Sequence, residues 1–302
     1  MGIYVEILIR GAMDDLWAKT QTPAEHERWD LRFTEISYLP RPDEARPQRF
    51  RYATRLGFGL EVWGEGETAG SRDDASGRRT SALKFWSDDP KSLIAEGSGY
   101  WQYIPQADGV RFLTWYDYRT RFGAAGRRFD ALVFRPLMGW ATAWSFDRLR
   151  LWIERGLDPA SALRRSAIHA LARATIAAIW LYHGAVPKLL RRDADERALL
   201  LDAGFPRAAV PALLRLFGAG EVAFGLSFLL LWHRRWPFLV SAGLMPLATA
   251  AVARRSPRYL GAAFNPVTLN AAVGALSLIG YLAGADLPSA RRCLRRRPEK
   301  AG

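Results

Sequence analysis

The chain has 302 residues, room for two domains, and a net charge of +13. The basic excess is one-sided: residues 1–160 hold 23 Lys+Arg against 23 Asp+Glu, and residues 161–302 hold 20 against 7. Those cations sit between and after apolar runs, which marks span flanks and lipid contacts and argues against nucleic acid, while the lone Cys293 excludes an intrachain disulfide or a cysteine metal cluster.

The N-terminal MGIYVEILIRGAMDDLW alternates and carries acids early, so it does not read as a signal peptide, and Glu6 breaks the myristoylation pattern that Met1-Gly2 begins. Ile3–Ile9 reads as a strand. Asp14–Lys19 reads as a short helix, and Thr22-Pro23-Ala24-Glu25 starts another, with Thr22 to cap, Pro23 at the first helical position and Glu25 to reach back. Six β-rich runs follow: Leu31–Leu39, Gln48–Gly57, Leu60–Gly66, Arg78–Trp86, Leu93–Ile104 and Val110–Phe122. Gly66–Gly77 reads as a polar turn. After Gly126 a long helix passes Trp140, Trp144 and Trp152 and stops at Gly156, with Pro136 starting or kinking it.

Acid/base candidates are sparse. His26, between Glu25 and Glu27, reads first as a solvated helix face. Asp117 is either inward or paired across strands with Arg119 or Arg121. The sequence carries no Ser-His-Asp order, phosphate loop or metal-ligand cluster.

This order of strand, two short helices, six antiparallel strands and long helix resembles the START-like (SRPBCC) superfamily, which includes polyketide cyclases and lipid-transfer domains. The resemblance covers residues 1–155. It rests on Ile3–Ile9, the Leu16-Trp17 helix, the TQTPAEHERWD stretch ending at Trp29-Asp30, and the closing helix. It implies an α+β helix-grip domain, an antiparallel sheet around a long C-terminal helix with an apolar cavity between them. Trp17, Trp29, Trp86, Tyr100, Trp115, Tyr116, Trp140 and Trp144 are the candidate lining. Any one of them alone reads as core filler. Together they suit a flat or greasy ligand, because rings give large contact area with little entropy loss.

Ile168–Leu190, Val210–Trp232, Trp236–Ala253 and Phe264–Gly284 are each near membrane length and lack a polar stripe. They read as an all-α four-helix transmembrane bundle. The expected domains are therefore 1–157, 158–290 and a basic cytoplasmic tail, 291–302. With the first domain in the cytoplasm, four spans return the C-terminus to the same side. Thirteen Lys/Arg, Lys300 among them, then flank the inner side and eight, Lys188 among them, the outer, in the sense of the positive-inside rule. A bacterial inner-membrane, multi-pass protein with both termini cytoplasmic is the expectation.

WLYHGAVPKLL (180–190), DADERALLLDAGFP (193–206), GAGEVAFG (218–225) and NPVTLNAAVGALSLIGY (265–281) resemble, in this order, the DoxX-like family of four-helix bacterial membrane proteins, over residues 166–285. The resemblance implies no firm reaction. Its relatives include membrane subunits of thiosulfate:quinone oxidoreductases and proteins linked to thiol redox balance. No cysteine lies within these spans, which excludes direct thiol chemistry there.

Glu221 sits near the middle of the second span, where an unpaired charge costs at least a few kcal/mol. Arg215, six residues earlier, points about 120° away on the same helix and snorkels outward. The partner must come from another helix, with His183, Asn270 and Arg173 in reach. Two readings stand side by side. One is a structural clasp that Gly218, Ala219, Gly220, Ala223 and Gly225 let close up. The other is a proton or quinone site built on Glu221 and His183.

The expected function is a membrane-anchored binding protein for an apolar, lipid- or quinone-like small molecule rather than an enzyme. The alternatives are a membrane subunit of a quinone-linked oxidoreductase and a membrane-moored cyclase-type enzyme using Asp117 or His26. No metal and no cofactor is expected beyond a quinone. The expected partners are membrane lipid, the small molecule, and a second copy of the chain or a redox subunit.

Overall fold

The computed structural model describes residues 2–43, 45–263 and 265–298. Phe264 and Lys300, which figured in the expected fourth span and inner flank, lie outside the described residues. The chain forms two compact units, Met1–Ala162 with Pro288–Gly302, and Leu163–Leu287.

The first unit is built on a seven-stranded sheet of β1 (Ile3–Ile9), β2 (Glu35–Tyr38), β3 (Arg49–Gly57), β4 (Leu60–Asp73), β5 (Arg79–Trp86), β6 (Ile94–Gln106) and β7 (Gly109–Thr120). The order is β1-β7-β6-β5-β4-β3-β2 and every pair is antiparallel. α1 (Met13–Gln21) and α2 (Pro23–Trp29) join β1 to β2. Thr22 and Pro23 sit where expected, but the Thr22 side chain makes no capping bond. The expected Gly66–Gly77 turn is mostly strand. β4 runs on to Asp73 past a bulge at Thr68/Gly70, and Asp74 closes the turn by accepting from the Ser76 and Arg78 amides at 2.9 and 3.2 Å. Polar residues on both faces concealed that extension, because a backbone ladder needs no apolar side chains.

α3 (Gly123–Phe129), a π-helical turn (Asp130–Phe134) and α4 (Arg135–Arg155) follow. Pro136 lies in the first turn of α4, directly after the π-helical turn. Gly156, at φ +65°, ends α4 in the left-handed conformation that a Cβ disfavours. α4 packs on β1, and Val5, Ile9, Trp101, Tyr103, Phe112, Phe146 and Leu149 meet in the core between them.

Of the described residues in 291–302, expected as a separate basic tail, Arg292, Cys293 and Leu294 contact this unit. Asp147 of α4 is fully buried and accepts from Arg150 Nε (2.7 Å), the Ser289 amide (2.7 Å) and Arg292 Nη1 (2.9 Å). Cys293 Sγ contacts the Ala143 carbonyl, and Leu294 exchanges both backbone hydrogen bonds with Glu6 on β1. Basic composition hid this, since all but one of the docking groups, Arg292, are backbone groups and the small Cys293 side chain.

The second unit continues α5 (Pro159–His183) into a π-helical stretch (Gly184–Leu190), then α6 (Ala194–Asp202), α7 (Val210–Leu230), α8 (Trp236–Arg255) and α9 (Pro266–Ala283). Among the described residues α7, α8 and α9 are long and apolar enough to span, three helices where four were expected. The expected first span, Ile168–Leu190, is divided at His183, and its first part carries Arg173. Gly184 and Gly218 face each other. A Cβ on Gly184 would lie 2.5 Å from the Gly218 carbonyl oxygen, so only glycine allows this approach.

The lone cysteine reports on the docked tail. Burial pushes the Cys293 thiol up, so it should react slowly with maleimide. Asp147→Ala removes the acceptor of the Ser289 amide and of Arg292 and one of the two carboxylate partners of Arg150, at a cost of roughly 2–4 kcal/mol. Thiol-labelling kinetics should then rise at least tenfold, and unchanged kinetics would show that the tail is held by something else.

Candidate functional site

Cross-strand partners share a face of the sheet. Phe50 opposes Gly66, Gly66 opposes Phe85, Phe85 opposes Gly97, and Gly97 opposes Tyr118. Tyr118 belongs to the core under α4, so this row lies on the helix-covered face. A Cβ on Gly66 would clash with the Phe50 ring, and one on Gly97 with the Phe85 ring. The glycines thus let neighbouring rings lie flat on the sheet. The helices pack on β1, β2 and β7. Phe33, Phe50, Tyr52 and Phe85 beyond them remain half-buried, with Phe33 edge-on to Tyr52 at 5.6 Å.

A polar group borders these rings. Arg32 grips the buried Asp30 with Nε at 2.9 Å and Nη2 at 2.6 Å, and His26 Nε2 lies 3.0 Å from the same carboxylate. Burial alone would raise the Asp30 carboxyl, but Arg32 and His26 hold it well below the usual carboxylate range. Arg32 also lies 5.3 Å from the Phe33 ring and 5.5 Å from that of Tyr116, whose hydroxyl meets Thr142 Oγ1 at 2.9 Å. Ring faces beside a cation and two hydroxyls can hold a flat apolar molecule by its body and orient one polar end.

The structure sorts the eight expected lining aromatics. Trp29, Tyr116 and Trp144 are buried in the core, and Trp17 packs against it with its ring 5.0 Å from Tyr103. Trp86, Tyr100 and Trp115 are corrected to the opposite face, because each alternates with a helix-side residue, Phe85, Trp101 and Tyr116 respectively. Tyr100 stacks on Trp115 there at 6.0 Å, and Arg49 covers Trp86. Trp140 is 42% exposed and stacks on Trp144 outside the sheet–helix layer. Two polar expectations also change. His26 is not on a solvated face but stacks on Trp29 at 4.9 Å. Asp117 pairs with Arg135 of α4 at 2.8 Å rather than with Arg119, which takes Glu96, or Arg121, which bonds to the Asp89 carbonyl. The missed residues Phe33, Phe50, Tyr52 and Phe85 had one sequence signal, their period-two spacing against glycines.

In the second unit, Glu221 pairs with Lys188 Nζ at 3.1 Å, and the same ammonium bonds Glu196 at 2.9 Å. This corrects the expected partners. His183 offers Lys188 its backbone carbonyl, and Asn270 donates to Thr249 Oγ1 at 3.0 Å. Arg173 is fully buried and donates to the carbonyls of Phe228 (2.7 Å), Leu231 (3.3 Å) and Arg234 (2.6 Å) at the C-terminal end of α7. There it meets the negative end of that helix dipole. Its Nε bonds His169, whose other ring nitrogen meets the Gly280 carbonyl. Lys188 was visible in the sequence as a cation inside the expected span, yet was counted with the outer flank. The π-helical stretch turns it toward Glu221. A cleft of about 370 Å³ opens beside Glu221, lined by Trp180, Leu216, Phe217, Phe224 and Leu244.

Residues 177–278 match the model of the DoxX-like family. The chain is 40% identical over 296 residues, 98% of its length and 97% of the relative's, to the uncharacterized membrane protein YndG of Bacillus subtilis (strain 168). Among solved structures it is similar to a STAR-related lipid transfer protein from Xanthomonas axonopodis (16% identity, 50% of this chain and 84% of that one, TM-score 0.37). It is also similar to the Zhui aromatase/cyclase from Streptomyces sp. R1128 (12% identity, 52% of this chain and 97% of that one, TM-score 0.39).

Removing the shared cation tests the triad. Lys188→Met leaves two carboxylates facing each other in an apolar setting and should cost about 3 kcal/mol in thermal unfolding in detergent. Adding Glu221→Gln should restore more than half of the loss. An additive double mutant would mean that Lys188 does not neutralise Glu221.

Proposed function

The chain belongs to the family of the Bacillus subtilis membrane protein YndG, and we propose that it is a membrane-anchored binding protein for an apolar small molecule. The observation that supports this is the ring-covered, glycine-floored surface of the first unit, half open beyond the helices and bordered by Arg32, Tyr116 and Thr142. A core meant only to be filled would not need glycines at Gly66 and Gly97, because larger residues stabilise strands better. On this reading the first unit is a helix-grip, START-like domain, and the ligand is lipid- or quinone-like, with an apolar body and one polar end.

The membrane half is read as four spans. Residues before Leu163 and after Leu287 belong to one folded unit, so the chain returns to the side it left. That requires an even number of crossings, which α7, α8 and α9 alone do not give. Residues 168–190, helical throughout, supply the fourth, with a length of roughly 30 Å or more at 1.5 Å per residue. The buried Arg173 lowers the mean hydropathy of this helix without facing lipid. We place both termini in the cytoplasm of a bacterial cell, with the loop around Arg207 outside.

The cleft beside Glu221 favours a second reading, a membrane subunit of a quinone-linked oxidoreductase in which Glu221 exchanges a proton with a ring-bearing ligand held by Trp180 and Phe224. The membrane-moored cyclase-type enzyme rests on His26, whose pairing with Asp30 beside the aromatic surface gives it a base position.

Mass spectrometry of small molecules that co-purify with the full-length protein in mild detergent should find one apolar species. The Phe50→Ala/Phe85→Ala double variant should lose at least nine-tenths of it while unfolding within a few degrees of wild type, since both rings are only half-buried. Retention of the species by that variant, or its loss from Glu221→Gln instead, would move binding to the membrane half. For topology, reporters fused at the C-terminus and within the loop at Arg207 should read opposite sides, and N- and C-terminal reporters the same side. A C-terminal reporter opposite to the N-terminal one would leave three crossings.

A further inference from the structure

α4 has two working faces. Met138, Thr142, Phe146 and Leu149 look onto the sheet and its core. The opposite face is covered along its C-terminal half by the chain's own segments. Asp147 holds Ser289 and Arg292 there, and Arg148 Nε donates to the Pro159 carbonyl at 2.8 Å. Pro159 begins α5, and Ser289 follows α9 closely in sequence. This outer face is therefore where the chain leaves for the membrane and where it returns.

The N-terminal half of the same face is apolar and bare. Trp140 precedes Asp147 by seven residues, about 700°, so the two point within about 20° of each other, and Leu137 lies about 80° from Asp147. The stripe continues back through Val133 and Leu132 in the π-helical turn to Phe129 in α3. These five side chains are between 42% and 78% exposed. Arg127 and Arg128 are exposed at the N-terminal end of the stripe. Contiguous apolar exposure on this scale marks an interaction site.

We propose that this stripe, Phe129, Leu132, Val133, Leu137 and Trp140 with Arg127 and Arg128, binds the interface of an anionic lipid bilayer. Two observations select lipid as the occupant. The stripe shares its face with both membrane junctions, so a bilayer that receives α5 and α9 is presented to it at high effective concentration. Its composition, Trp and aliphatics on one side with arginines at one end, is that of an interfacial helix, in which the apolar face sinks to the headgroup boundary and the cations meet anionic lipid. The proposal stands whether or not the sheet surface binds a ligand.

The test is a photoreactive benzophenone amino acid placed at position 132, or at position 76 in the exposed turn between β4 and β5 as a reference. The full-length protein is reconstituted in phosphatidylglycerol/phosphatidylcholine vesicles. Lipid adducts at position 132 should exceed those at position 76 at least tenfold. They should fall at least threefold in pure phosphatidylcholine or with Arg127→Glu/Arg128→Glu. Equal adducts at both positions would overturn the proposal. So would cross-links from position 132 to a second copy of the chain, or to the membrane half of the same chain, in place of lipid.

Discussion

The Asp147 carboxylate is the constraint from which most of the molecule's organisation follows. It is buried on a helix, so it must be satisfied by partners, and its protein donors come from two distant parts of the chain: Arg150 from its own helix, Ser289 and Arg292 from beyond α9. A charge buried without those partners would destabilise the domain rather than hold it. Because two of the partners lie after α9, the first unit is assembled from segments on both sides of Leu163–Leu287 in the sequence. The same contact covers the C-terminal half of the outer face of α4.

The membrane half follows the same logic with opposite charges. Arg173 is stabilised by helix-end carbonyls that would otherwise lack partners, and Lys188 by two carboxylates. Each cation joins helix pairs that lipid alone would not hold together, since hydrocarbon competes with apolar side chains on equal terms. Glu221 is thus both clasp and wall of a cleft.

Much of the fold was legible. Period-two alternation gave the strands, Gly156 the end of the long helix, and apolar runs the spans. What stayed hidden has common causes. The extension of β4 to Asp73 is made by backbone pairing, which leaves no side-chain signature. The docking of Ser289–Leu294 depends on amides and on a partner some 140 residues away. That Trp86, Tyr100 and Trp115 face away from the helices is hidden because aromatic content alone carries no strand register, and a shift of one residue reverses the face. Lys188 escaped because a π-helical stretch rotates side chains off the 100° step on which helix reasoning rests. The need of Glu221 for a partner from another helix was readable from cost alone; the identity of that partner was not.

The docked segment also sets an order of manufacture. Most of the first unit precedes the membrane helices in the sequence, yet the residues that fill the groove over Ala143 and Asp147 and pair with β1 follow α9. Until Ser289–Leu294 are made, Asp147 lacks two of its donors and the outer edge of β1 lacks the pairing of Leu294 with Glu6. The closing contacts of the first unit thus depend on its last-made residues.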